Sequence, residues 1–163
     1  MQMWYMAILS ALLFGVVAGQ RSMLPLAVVS LAAHAGRLAL ADTIFSFLRY
    51  ALSSWIFCLF ALGELIADKL PFIPSRKQVF PFAARIVSGA ICGGAVGVSS
   101  GMLVAGIVVG AVGAVIGTIG GSALRARLAQ AFGKDLPAAL TEDAIALILT
   151  VTAYALIPAH SAV

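Results

Sequence analysis

Charge is what this sequence has least of. Ten Lys and Arg with six Asp and Glu make up only 10% of the 163 residues, against roughly 25% in soluble domains. A chain folded in water needs that polar coat to cover its surface, so the composition excludes an ordinary soluble globule. Cysteine and histidine are scarce as well. Cys58 and Cys92 each sit inside an apolar run, and His34 and His160 stand far apart. Neither a metal-ligand set nor a disulfide framework can be built from them, so the thiols read as small packing residues and no metal or cofactor is implied. What the chain does have is apolar residues, 63% of the total, with a mean hydropathy of +1.11. Lipid is the solvent that accepts such a surface.

The net charge of +4 would suit nucleic acid if the basic residues shared a face. They lie instead at the ends of apolar runs, where membrane topology requires them, so no nucleic-acid partner is expected. At this length there is room for one domain, residues 1–163, and for no separate soluble module. The first apolar stretch has no positive residue ahead of it and reads as a retained helix rather than a cleaved signal.

A span takes about 20 apolar residues. Six segments meet or approach that: Met3 to Gly19, Met23 to Leu40, Phe45 to Ala67, Val79 to Val98, Met102 to Leu124 and Leu140 to Ile157. The expected fold is therefore all-α, a polytopic membrane bundle of about six transmembrane helices. The second segment is the weakest, with Pro25 near its start and His34, Gly36 and Arg37 crowding its end. A five-helix version, in which the first two segments form a hairpin that does not cross fully, keeps the same basic loops together. Those loops hold Arg21, Lys69, Arg76, Lys77, Arg85, Arg125, Arg127 and Lys134 and are expected to face the cytoplasm, with Arg37 and Arg49 opposite.

Glycine supplies the packing signal. Gly89, Gly93, Gly97 and Gly101 recur every four residues, as do Gly113, Gly117 and Gly121, and Ala7, Ala11, Gly15 and Gly19 repeat the spacing in the first helix. Residues four apart share a helix face, so these runs read as glycine zippers that let neighbouring backbones approach. The same seams could join subunits, which keeps a homo-oligomer open beside the lipid bilayer as partner.

Ionisable groups at membrane depth cost roughly 2.5 to 3.5 kcal/mol each and call for an explanation. Three clusters qualify. Arg21 and Ser22 lie at the break between the first two helices, where Ser22 is placed to cap the second and the guanidinium makes an anion-friendly corner. Glu64 and Asp68 share one face at the end of the third helix, against its dipole, with Pro71 ending it. Thr141, Glu142 and Asp143 open the last helix, where Thr141 can cap and the acids suit the dipole. Arg21 and Arg85 are the natural cations for Glu64, Asp68 and Asp143. No nucleophile with an adjacent base can be assembled, so an enzyme is not expected.

Gly19, Arg21 and Pro25, the helix end from Glu64 to Pro71 with its Ala-Asp-Lys-Leu-Pro sequence, the Gly-rich middle and Glu142-Asp143-Ala144 together resemble a family of small bacterial integral membrane proteins catalogued only as a domain of unknown function. The resemblance covers nearly the whole chain. It implies a bacterial inner-membrane location and a multi-helix bundle, and it brings no activity, substrate or cofactor. The leading functional expectation is a transporter or channel-like protein for a small solute or ion, its site drawn from Arg21, Glu64, Asp68, Arg85 and Asp143. The alternative is a non-catalytic structural or accessory subunit that uses those charges as helix clamps.

Overall fold

Apolar runs in lipid must satisfy their own backbone, and helices do so within one segment. In the computed structural model, which describes residues 3–67 and 79–158, the regular elements are accordingly all helical. They are α1 (Met3–Gln20), α2 (Met23–His34), a short 3-10 turn (Ser46–Arg49), α3 (Ala51–Ala67), α4 (Val79–Ser99), α5 (Leu103–Phe132) and α6 (Asp135–Ala155). Asp68, Lys69, Pro71, Arg76, Lys77 and His160 lie outside the described residues.

Three of the helices, α4, α5 and α6, are long and apolar enough to cross a membrane, while α1, α2 and α3 are shorter apolar helices. The expectation of about six spans is thus met in helix number but not in length. The clearest shortfall is α2. It stops at His34 instead of Leu40, and its 12 residues rise only about 18 Å. The stop is written in Gly36, whose φ of +76° lets Arg37 N–H bond back to the Ala32 carbonyl at 2.9 Å. By contrast α5 overruns the expected end at Leu124 to reach Phe132, before Gly133 at φ +64° ends it. Its 30 residues rise about 45 Å, more than a hydrocarbon core of about 30 Å needs, and Arg125 and Arg127 lie in the last turns. The last helix begins at Asp135, not Leu140.

The centre of the bundle is the mutual packing of α1, α4 and α5. At this centre the helices meet backbone to backbone. A Cβ at Gly89 would lie 2.6 Å from the Gly110 carbonyl oxygen, and one at Gly97 would lie 2.6 Å from that of Met102. On the other flank of α5, a Cβ at Gly113 would lie 2.5 Å from the Leu12 carbonyl oxygen, and one at Gly117 would fall inside Val16. Gly93 faces Gly106 and Gly110 in the same way. Gly121 differs, because what fills its notch is the Gln20 side chain. Around this centre α6 packs on α1 and α5, helped by Ser10 Oγ donating to the Ala153 carbonyl at 2.8 Å. Among the described elements α3 packs on α2 and the 3-10 turn alone. Ser30 fixes that side of the molecule, its hydroxyl lying 2.6 Å from the Leu48 carbonyl and 3.0 Å from Ser54 Oγ. The outer face of α3 carries Leu52, Trp55 and Leu59 largely exposed, a surface suited to lipid.

Two glycines in one helix separate close approach from mere flexibility. Gly110 touches backbone of both α1 and α4, whereas a Cβ at Gly120 meets nothing within 4 Å. Gly110→Ala should lower stability by about 1–3 kcal/mol or more through overpacking, while Gly120→Ala should be neutral or stabilising by up to about 1 kcal/mol. Thermal unfolding of the two variants in detergent checks this, and equal melting temperatures would contradict the packing described.

Candidate functional site

The charged residues collect at one end of the bundle, and the helix seams lead to it. On α4, Arg85 continues the face of Gly89, Gly93 and Gly97 at four-residue spacing; on α5, Arg125 continues that of Gly117 and Gly121. Each glycine face thus runs into an arginine just where the chain nears the membrane surface. Arg85 is buried and sits one turn before Ser88, whose hydroxyl donates to the Ser22 carbonyl and ties α4 to the start of α2.

The break between α1 and α2 is the hub. Helical bonding carries α1 as far as Arg21, whose N–H reaches the Val17 carbonyl at 2.7 Å, and α2 begins two residues later. The Arg21 side chain is almost fully buried, its exposure 2%. Its guanidinium pairs with the Asp143 carboxylate of α6 and extends to the Glu64 carbonyl oxygen of α3 at 3.4 Å. One cation therefore holds two helices to the α1–α2 junction.

Glu64 answers the first turn of α2. Its carboxylate accepts from Ser22 N–H at 2.8 Å, Ser22 Oγ at 2.9 Å and Met23 N–H at 2.9 Å. The expectation that Ser22 caps α2 with its own side chain is corrected: Ser22 makes no such bond and instead donates its hydroxyl to Glu64. The apparent misplacement of an acid at the C-terminus of α3 is resolved by the same contact. What Glu64 loses against its own helix dipole is offset at the amide end of a neighbouring helix, where an anion is favoured.

The acids of α6 require a second correction. Because α6 starts at Asp135, Thr141, Glu142 and Asp143 lie in its second and third turns rather than opening it. Thr141 Oγ1 donates to the Pro137 carbonyl at 2.8 Å and caps nothing. Glu142 is fully buried, with Arg125 Nη1 3.5 Å away and the Gly121 notch beside it. From the sequence Glu142 is read as a helix-opening acid and left out of the site set, and Arg125 and Gln20 are not singled out. The available signal was that Arg125 continues the glycine face, and so must point inward toward whatever acid meets it.

Of the residues singled out from the sequence, Arg21, Glu64 and Asp143 come together directly, Arg85 lies one turn from a residue bonded to that junction, and Asp68 is outside the described residues. Among the described residues, no group of three His, Cys, Asp or Glu could hold a metal ion. Beside the hub a cleft of 340 Å³ opens between α2, α3 and α6. Arg21 and Asp143 stand at one end of it, and the rest is apolar, with Leu24, Val28 and Leu31 on α2 facing Cys58 and Leu62 on α3.

Removing Glu64 strips three acceptor contacts from the α2 start, so Glu64→Ala should lower stability by about 1–2 kcal/mol. A double-mutant cycle of Arg21→Gln and Asp143→Asn should return a coupling of about 1–3 kcal/mol in chemical unfolding; additive effects would remove this pair from the hub.

No curated protein and no solved structure matches the chain. One family does, over residues 8–162, and with nearly the whole length matched the chain belongs to the family described as the domain of unknown function DUF4126.

Proposed function

We propose that this chain is a small multi-pass transport protein of the inner (plasma) membrane, handling a small solute or ion along the side of its bundle rather than through the centre. The observation that carries the reading is the cleft beside the hub, where the Arg21–Asp143 pair lines one end of an otherwise apolar passage between α2, α3 and α6. Ionisable groups that face a cavity at membrane depth commonly mark a solute path. The α1–α4–α5 centre offers no such route, because its backbones are in contact at the glycines. Arg21 and Asp143 are the polar station of the path. Glu64 is the latch that seats α3 as its wall, and Arg85 contributes to the charge balance of that end. The end with Arg21, Arg85, Arg125 and Arg127 is cytoplasmic on the positive-inside rule. No catalysis is assigned, and a single copy suffices, since the glycine faces are taken up within the chain.

One observation favours the second reading, a structural or accessory subunit. Arg21 pairs with Asp143, Arg125 with Glu142 and Glu64 with the α2 amides, which is how clamps between helices would be arranged. Flux and stability separate the two. In proteoliposomes screened against a panel of labelled small anions, cations and neutral solutes, the transport reading expects uptake that Asp143→Asn reduces at least about tenfold while the variant still elutes as a folded species. Wild-type protein that moves none of the panel, with Asp143→Asn costing only thermal stability, would leave the clamp reading in its place.

A further inference from the structure

The cleft beside Arg21 does not end at its apolar lining. A second hollow, of 200 Å³, shares Leu31 and Cys58 with it and extends to His34 and Ala51. A third, of 640 Å³, shares His34 and Ala51 with the second and reaches Arg49 and Tyr50. On α2 the lining residues Leu24, Val28, Leu31 and His34 fall on one face at three- and four-residue spacing, and Ala51, Trp55, Cys58 and Leu62 do the same on α3. The three hollows thus follow one another along α2, roughly 18 Å by its rise, and just past its end, each sharing lining residues with the next. Polar groups stand at both mouths and apolar side chains fill the stretch between.

The two mouths differ in charge. At the hub, Arg21 is matched by Asp143. At the far mouth the lining includes Arg49, His34 and the Tyr50 ring; the nearest carboxylate in sequence, exposed Asp42, follows the lining residue Ala41 without itself lining the hollow. His34 Nδ1 lies 3.0 Å from the Arg49 carbonyl, which holds the 3-10 turn and its arginine against the end of α2. A cationic mouth opening on an apolar slot fits a molecule with an anionic end and a single apolar tail.

From this continuity and charge asymmetry we infer that the α2–α3 crevice is a binding track for a single-chain anionic amphiphile, a long-chain carboxylate, with its carboxylate at Arg49 and its tail running past Leu31 and Cys58 toward Arg21. The inference deepens the transport reading by naming its substrate class, and it rests on that reading for its purpose. The occupancy itself depends only on the geometry of the crevice.

Cys58 reports on the track, since it lines the two inner hollows and is partly accessible, while Cys92 is fully buried. The test takes the full chain in lipid nanodiscs and follows the rate at which N-ethylmaleimide modifies Cys58, with Cys58→Ala as the blank. Hexadecanoate should slow the reaction at least about tenfold, and its affinity should fall about fourfold for each methylene removed along the series to octanoate. Arg49→Gln, or replacing the carboxylate by an alcohol of the same length, should weaken protection about tenfold or more, as loss of one charge-assisted contact predicts. Unchanged Cys58 reactivity would overturn the inference, as would equal protection by octanoate and hexadecanoate or by a quaternary ammonium of matched length. Uptake of another solute without Cys58 protection would overturn this inference and leave the transport reading standing. Protection without uptake of any solute would do the reverse.

Discussion

Lipid tails are as apolar as leucine, so helices in a bilayer gain nothing by hiding apolar side chains from their surroundings. What holds them is direct van der Waals contact and polar bonds between helices. The contact between Gly89 and Gly110, and its equivalents along α1, α4 and α5, takes that logic to its limit: with no side chain between them, backbone meets backbone. Thr118 exploits the proximity, its hydroxyl donating to the Gly19 carbonyl at 3.1 Å as well as to Ala114 of its own helix at 2.8 Å. A Cβ at almost any of these positions would push the three helices apart, and the placement of everything else follows from their axis.

That tight centre has a consequence at each end. At the Gly101 turn, φ +72° and the bond from Met102 N–H to the Gly97 carbonyl at 2.7 Å reverse the chain within a few residues, so α4 and α5 stay in register from the start. At the opposite end the glycine faces give way to Arg85 and Arg125, where Glu142 of α6 answers Arg125 and Asp143 of the same helix answers Arg21 at the α1–α2 junction. Buried ion pairs are weak evidence for stability in themselves. Here their effect is specificity of arrangement, because Arg21 can meet Asp143 only if α6 lies beside the junction, and Glu64 can meet Ser22 and Met23 only if α3 descends to the same depth.

Local patterns in the sequence foretold local structure. The four-residue glycine spacing fell on close backbone contacts, Gly89, Gly93 and Gly97 of α4 against α5 and Gly113 and Gly117 of α5 against α1, whereas Gly101 forms the turn between α4 and α5, and α2 ends at His34 short of the expected Leu40. The errors came where a distant partner decides. Arg125 and Arg127 look like the end of a span, yet the helix continues past them to Phe132, and Arg125 turns inward to Glu142. Thr141 before two acids looks like a cap, yet Asp135 and Pro137 already begin the helix and draw Glu142 inward to the Gly121 notch. Ser22 looks like a cap too, and the acceptor that replaces it stands more than forty residues away in Glu64. No one-dimensional pattern encodes that pairing. Nor was the cleft legible, because it arises from what α3 does not touch.

The position of α3 is the point at which fold and function meet. Among the described elements it packs on α2 and the 3-10 turn and is tied at its end by the Glu64 carboxylate and by the bond from Arg21 to the Glu64 carbonyl, while its outer face leaves Leu52, Trp55 and Leu59 exposed. Any opening of the α2–α3 crevice is set by the Glu64 bonds below and by the Ser30–Ser54 contact above, both of which are polar and few. On the transport reading proposed above, the path is the cleft between α2, α3 and α6 with Arg21 and Asp143 at one end, because at the α1–α4–α5 centre backbone meets backbone.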